Sequence, residues 1–594
     1  MTWIPKRTLA ETESILCAPG NIHEVETTVI EGRLYRVYKN LWPSLREFWL
    51  SAVKQYANET YIVYEAQRLT YQEVHERAIR VAGLFRDVYD IQKGDRVAIC
   101  SRNCPDYLVA FWACHLIGAV SVLANAWLPL EPLHHCLAHT DCKLIIVDTE
   151  RADRIEPLVS KITEEVGTTG FLVFHDRQET RTWGGMSSFQ ATADAFPQEA
   201  AINIVNKNLE ILPEDNATII FTSGTTGLPK GVLSTQRQFL TNVLNVLVGG
   251  YRAGLRKGDG IPVPTKNGVQ KGALVAVPLF HVTGSTSYSM MATMTGMKIV
   301  LTKKWIPEEV NRLIKLENVS VAGGVPAMVA DLTESSLAGH PLEGLLFGGA
   351  PAPDSLVPRA QKAFPTATMI QGYGLTETNS IAVSASGEDY IARPTSTGRA
   401  SPVNEIQIVH NGTCLPPGGV GEVWLRGPNV MKEYWRDPAA TRQVITHDGW
   451  LKTGDLGYQD NDGFLYIKDR IKDIIIRGGE NIDSISVENA LYADPRVLEA
   501  AAVGVPDERL GELVAAVVSI KPEWQGRVTE ATLIAQARNS LPRFAVPVMV
   551  IVLTQPFEHT PSGKIIKGEV RKLARRQWDI RRRDGTGREP LVNL

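Results

Sequence analysis

Short apolar runs rich in strand-forming residues alternate with helix-patterned stretches along most of the chain, and no other feature narrows the fold as far. RVAIC (96–100) precedes a helical pattern from Pro105; AVSVL, LIIVD, a helical pattern from Arg151 and FLVFH follow. Alternation of this kind predicts parallel sheets covered by helices. A second alternating set spans 235–370, with strands at ALVAVPLF, KIVLT and VSVAGGV and a Gly/Pro turn at GGAPAP. Between 395 and 467 the spacing shortens to EIQIV, GEVWLRG and FLYIK, which suits a small barrel or β-lobe. Ahead of all this stands a lead-in with a helix around Trp42–Tyr56, and residues 176–210 read as a polar, irregular excursion. After Asp469 a mixed pattern restarts with IIIRG, helices at 485–493 and 530–540, and the strands AAAVGVP, ELVAAVVSI and VPVMVIVL. A chain of 594 residues exceeds one core. The expected class is therefore α/β: an N-terminal domain over 1–469, built of stacked αβ subdomains plus a small β-lobe, then a small α+β C-terminal domain over 470–594.

Composition excludes more than it identifies. With 44% hydrophobic and 21% charged residues and a net charge of −3, the chain has no global field toward nucleic acid or membrane. Its seven scattered cysteines, with no secretory leader, suit a reducing compartment. Tyr107–Leu130 lacks Asp, Glu, Lys and Arg, but Gly118 interrupts it and Asn125 and Pro129 follow, so it reads as a buried helix turning into a buried strand. His135, His139 and Cys142 fall at metal-ligand spacing, yet Leu133 and Leu137 between them favour a helix packed beside a sheet.

The most chemical segment is IIFTSGTTGLPKGV (219–232), a β-prone run that breaks into Ser, Thr and Gly and closes on Pro229, Lys230 and Gly231. Small residues let backbone approach an anion, their N–H and O–H groups donate, and a lysine adds charge, so the loop suits a polyphosphate. It is not a Walker A loop, because only two residues separate Gly224 from Gly227 and Gly231, not Ser or Thr, follows Lys230.

Four further motifs follow in order: QGYGLTET (371–378), TGDLG (453–457), KDRIKDIIIRGGENI (468–482) and TPSGKI (560–565). With them the chain resembles the adenylate-forming superfamily, which holds acyl-CoA synthetases, adenylation domains of peptide synthetases and beetle luciferases. The resemblance runs from about residue 60 to 575. It implies activation of a carboxylic acid by ATP as an acyl-adenylate with release of pyrophosphate, then transfer to a thiol, and a site for adenine, ribose, triphosphate with Mg²⁺, and the carboxylate.

Each part of that site has a candidate. Tyr373, between Gly372 and Gly374, offers a flat face for adenine, and Gly349, Ala350 and Pro351 let a backbone edge approach it. Asp455 can accept from both ribose hydroxyls, with Arg470 on the same side. Thr222, Ser223, Gly224, Thr225, Thr226, Gly227 and Lys230 would embrace the β- and γ-phosphates, and Thr376 stands near the α-phosphate. Glu377, with Thr226, is the oxygen ligand set for Mg²⁺. Lys564 would bring a cation to the charge that builds between the acyl carboxylate and the α-phosphate. The resemblance further implies a hinge at Lys472 that makes the C-terminal domain mobile, and a pantetheine tunnel along Gly478 and Gly479, continued by Glu480, Asn481 and Glu488.

PLFHVTGSTSYSMM (278–291) is expected to wall the acyl pocket, facing Gly323, Gly324 and Val325. Peptide-synthetase domains place an aspartate where this chain has His281, which disfavours an α-amino acid and suits a fatty or aryl acid; His281 itself is a candidate gate or carboxylate neighbour. Carrier-linked adenylation domains share this machinery, but no carrier module follows Lys564, so free CoA is the favoured acceptor. Delivery to a carrier protein, and a nucleotide-binding homologue without activity, remain the alternatives. The arginine-rich stretch 571–588 reads as a solvated terminal helix, or a weak anchor for a membrane surface or the CoA 3′-phosphate. VNL at the end is not a peroxisomal signal, and a cytoplasmic location is expected.

Overall fold

The computed structural model describes residues 3–175, 181–205, 209–222, 228–262, 268–560 and 563–584. Two large sheets carry its first 400 residues. One has eight strands, and its parallel centre runs Asn216–Phe221, Val120–Leu123, Arg96–Cys100, Leu144–Asp148 and Gly170–Phe174. The other has nine, with Thr368–Leu375, Gly344–Gly348, Val319–Gly324, Gly272–Val275 and Lys298–Leu301 parallel at its centre. Central strands buried on both faces need continuous apolar runs rather than alternation, and that is what LIIVD and KIVL supply.

One core spans both sheets. Trp49 stacks on Trp112 at 4.5 Å, and Trp112 belongs to the helix Pro105–Leu116, which is buried at every position but Asp106. That helix turns at Gly118 (φ 70°) into the buried strand Val120–Leu123, as the apolar run 107–130 predicts. Among the described residues no helix is long and apolar enough to cross a membrane. Leu133 and Leu137 bury one face of the helix Leu130–His139, while His139 Nε2 lies 2.9 Å from Trp435 O.

The described part of the excursion, 181–205, is more regular than its polarity suggests. Helices Phe189–Ala195 and Gln198–Val205 occupy it, and Ala201 packs so closely on Gly83 that a Cβ there would lie 2.7 Å from its Cα. Only a few apolar positions carry that contact, too few to mark a periodicity. ALVAVPLF also breaks early, the strand stopping at Val275 ahead of Pro278.

Five antiparallel strands between Glu405 and Arg470 form the β-lobe, an open sheet. The C-terminal sheet is built on the long hairpin Val497–Asp507 and Gly511–Ile520. Helices Ser484–Tyr492 and Glu530–Ala537 cover one face, and Val570, Ala574 and Trp578 of Lys567–Arg583 cover the other. Part of the basic tail is internally paired: Arg571 with Asp473 at 3.0 Å and Arg581 with Glu530 at 2.7 Å.

Candidate active site

A cleft of about 1680 Å³ lies between the two large sheets, the β-lobe and the C-terminal domain. The flanks of the phosphate-loop candidate, Thr222, Leu228 and Lys230, line it and are set differently from those of a P-loop: strands Asn216–Phe221 and Gly231–Thr235 are antiparallel partners, so the segment connects strand to strand rather than strand to helix. Its neck is closed by Thr222 N donating to Lys230 O at 2.9 Å. Ser223, Gly224, Thr225, Thr226 and Gly227 lie outside the described residues. Lys230 Nζ sits 5.0 Å over the Tyr434 ring, and the Tyr434 hydroxyl donates to Glu377 Oε1 at 2.6 Å. Tyr434 thus ties the loop lysine to the metal-ligand candidate, a link the motifs do not announce.

Thr376 and Glu377 occupy a single turn, Thr376–Thr378, between Thr368–Leu375 and Ser380–Ser386. The register shifts at Tyr373/Gly374, where a Cβ on Gly374 would fall 1.5 Å from Ser380 O, so only glycine fits this crossing. One residue earlier, the Tyr373 hydroxyl donates to Asp455 Oδ2 at 2.7 Å, while Arg470 Nε lies 3.0 Å from Asp455 Oδ1. Each carboxylate oxygen keeps a lone pair for a further hydroxyl. Burial holds the Asp455 carboxyl above the usual range, against the pull of Arg470 and Tyr373.

Lys564 enters the cleft from the C-terminal domain. Its Cε passes close to Gly349 (φ 79°), where a Cβ would stand in ordinary contact at 3.6 Å. The turn behind it closes through Thr560 N to Lys564 O at 2.7 Å and Gly563 N to Thr560 O at 2.8 Å; Pro561 and Ser562 of the motif lie outside the described residues. His559, at the root of this turn, meets Glu499 Oε1 at 2.6 Å, a second pairing invisible in sequence. Burial, helped by the positive field of Arg470 and opposed by Asp455 and Glu377, lowers the Lys564 ammonium to about 8.

His281 lines the same cleft. Burial first, and then the charge of Lys564, push its imidazole down to about 3, so it stands neutral, with Nδ1 unpartnered among the described residues. The wall it begins is not an ordinary helix: Thr283–Ser289 winds as a π-helix, a form that recurs at functional sites. Opposite, Gly324 (φ 142°) brings bare backbone to the cleft before Val325, whereas Gly323 (φ 126°), expected on the same wall, is turned onto the neighbouring strand, where a Cβ would lie 2.1 Å from Leu346 O. Ala350, Pro351 and Gly372 also line it.

Gly478 (φ 59°) and Gly479 (φ 91°) are elsewhere. They form a hairpin turn outside the cleft lining, with Gly478 N bonded to Leu510 O at 2.7 Å. Glu488, by contrast, lines the cleft from the C-terminal domain, paired with Lys567 at 2.8 Å. Lys472 sits in the turn between the last β-lobe strand, Leu465–Arg470, and the first of the C-terminal sheet, Ile475–Arg477. Across the two domains Lys521 meets Glu334 at 2.9 Å and Asn489 meets Asp354 at 3.3 Å.

Two stacked αβ layers, a β-lobe and a small domain that delivers a buried lysine into their shared cleft define a two-domain adenylate-forming enzyme. The chain belongs to the AMP-binding enzyme family: the family profile matches residues 49–435, and that of the AMP-binding enzyme C-terminal domain matches 486–564. It is 33% identical to a feruloyl-CoA synthase of an Amycolatopsis species, over 85% of this chain and 94% of that one. It is 30% identical to the long-chain-fatty-acid–CoA ligase FadD13 of Mycobacterium tuberculosis, over 85% and 93%. Among solved structures, the o-succinylbenzoate-CoA synthetase of Bacillus subtilis in complex with ATP and magnesium superposes with a TM-score of 0.72 at 27% identity, covering 89% of this chain and 99% of that one.

Proposed function

We propose that the chain is an ATP-dependent acid:CoA ligase acting on a fatty or aryl carboxylic acid. The acid's carboxylate oxygen attacks the α-phosphorus, the bond to the bridging oxygen breaks, and pyrophosphate leaves; the CoA sulfur then attacks the acyl carbon, its proton goes to solvent, and AMP leaves. The observation that carries this reading is Lys564, buried opposite Gly349 in one cleft with Asp455, Glu377 and His281.

Tyr373 and the Gly349–Pro351 edge bind adenine, Asp455 and Arg470 hold the ribose, and Thr222, Lys230 and the loop between them hold the phosphates. Thr376 sits beside the α-phosphate. The Glu377 carboxylate, a hard oxygen donor facing the cleft, and Thr226 are the residues that would hold Mg²⁺, which would come with ATP and supply neutralisation of phosphate charge. His281, neutral and with Nδ1 unpartnered among the described residues, can contact the acid without repelling Lys564. An aspartate there would instead recruit an α-ammonium group. The feruloyl and long-chain-fatty-acid ligases among the relatives fit an apolar pocket bounded by the π-helical turn and Gly324–Val325. Lys472 is the hinge near the 469/470 boundary, and rotation about it would bring Gly478 and Gly479 to the acyl-adenylate.

A panel of fatty, aryl and short branched acids with MgATP, read first as pyrophosphate release and then as loss of CoA thiol, tests this. The expected result is both signals with one class of acid. Pyrophosphate without thiol loss assigns the acyl group to a carrier protein, and no pyrophosphate with any acid refutes the enzyme reading.

A further inference from the structure

A buried chain of side-chain amides joins the N-terminal segment to the turn that carries Thr376 and Glu377. Tyr38, ending the strand Arg33–Tyr38, donates from its hydroxyl to Asn245 Oδ1 at 2.8 Å. Asn245 Nδ2 donates to Asn404 Oδ1 at 3.0 Å, and Asn404 Nδ2 to Asn429 Oδ1 at 2.6 Å. Asn429 Nδ2 then donates to Thr378 O at 2.8 Å, and the Asn429 backbone carbonyl accepts from Asn379 Nδ2 at 3.0 Å. None of Tyr38, Asn245, Asn404, Asn429 or Thr378 is more than 3% exposed.

The far end fixes the direction of the whole chain. Thr378 O can only accept, so Asn429 must present its amide nitrogen to it, and each asparagine behind is left with its oxygen for the next donor, back to the Tyr38 hydroxyl. Gly427 makes the amide-to-amide contact possible, because a Cβ there would lie 2.1 Å from Asn404 Nδ2. The turn at the end of the chain has reason to be held: Asn379 (φ 53°) and Ser380 (φ 96°) follow it in the left-handed region. Tyr38 lies ahead of residue 49, where the family profile begins, in a segment strapped to the helix Gln236–Lys257 by His23 on Leu244 O at 3.1 Å.

We infer that Tyr38 is a positioning residue for the adenylation step: through Asn245, Asn404 and Asn429 it holds the Thr376–Thr378 turn, and with it Glu377, in place for magnesium-bound triphosphate. The inference rests on the proposed role of Glu377. Calorimetric titration of the full chain with the α,β-methylene analogue of ATP tests it, once with excess magnesium and once in chelator. Tyr38→Phe keeps the ring and removes only the donor; it should weaken the magnesium complex about five- to twentyfold and leave the metal-free nucleotide within about twofold. Adding Tyr38→Phe to Glu377→Ala should cost the magnesium complex nothing more, a non-additivity that a merely structural tyrosine would not produce. Equal weakening with and without magnesium, or full additivity, overturns the relay while Glu377→Ala alone still erases the magnesium dependence. If Glu377→Ala leaves that dependence intact, the role of Glu377 falls and the relay with it.

Discussion

Lys564 must be charged to oppose the growing negative charge, yet the cleft that makes that charge effective also makes it costly. Its ammonium is lowered to about 8, and a lysine is cationic below its pKa. Adenylation kcat/KM should therefore fall as pH rises through about 8. In Lys564→Arg, which stays charged, that alkaline limb should vanish, at the expense of rate because a planar fork replaces a compact ammonium. A pH profile of pyrophosphate release in both proteins checks this, and an unmoved limb contradicts it. Lys230, Glu377, Asp455 and Lys564 are all legible in sequence, because each sits in a short motif whose neighbours are chosen for backbone reasons. Tyr434 on Glu377 and His559 on Glu499 are not, since each pairing spans about 60 residues and depends on how strands cross.

At the scale of elements the alternating pattern foretells both parallel sheets and the mixed C-terminal domain, because strand burial and helix amphipathicity act over a few residues. Helices Phe189–Ala195 and Gln198–Val205 escape it, being short and held by a handful of small side chains. The π-helical wall Thr283–Ser289 escapes it too, since its winding answers to a contact across the turn: a Cβ on Gly284 would stand 2.2 Å from Pro278 O. Gly284→Ala must push the wall off that carbonyl. Its KM for the acid should rise about tenfold or more, equivalent to ~1.4 kcal/mol, while its KM for ATP moves far less. Equal change in both constants would show that the wall does not bound the acyl site.

In the whole molecule, the cleft holds Lys564 while Gly478 and Gly479 face away from it, so one arrangement cannot serve both half-reactions as proposed. The turn at Lys472 is where the β-lobe ends and the C-terminal sheet begins. Lys472→Pro fixes φ there; it should leave pyrophosphate release within about threefold and slow thioester formation by about a hundredfold. The family motifs let the sequence propose this division of labour; the contacts that stabilise the present arrangement, Lys521 with Glu334 and Asn489 with Asp354, are not readable there, because they join surfaces that meet only after both domains have folded. The central claim is that Lys564 serves the first reaction and not the second. The most direct test gives Lys564→Ala the two halves separately, acid with MgATP and then preformed acyl-adenylate with CoA. Adenylation should fall by about a hundredfold or more, as removal of one positioned charge from a developing oxyanion does, with thioester formation close to wild type; surviving adenylation, or equal loss in both halves, would contradict the account.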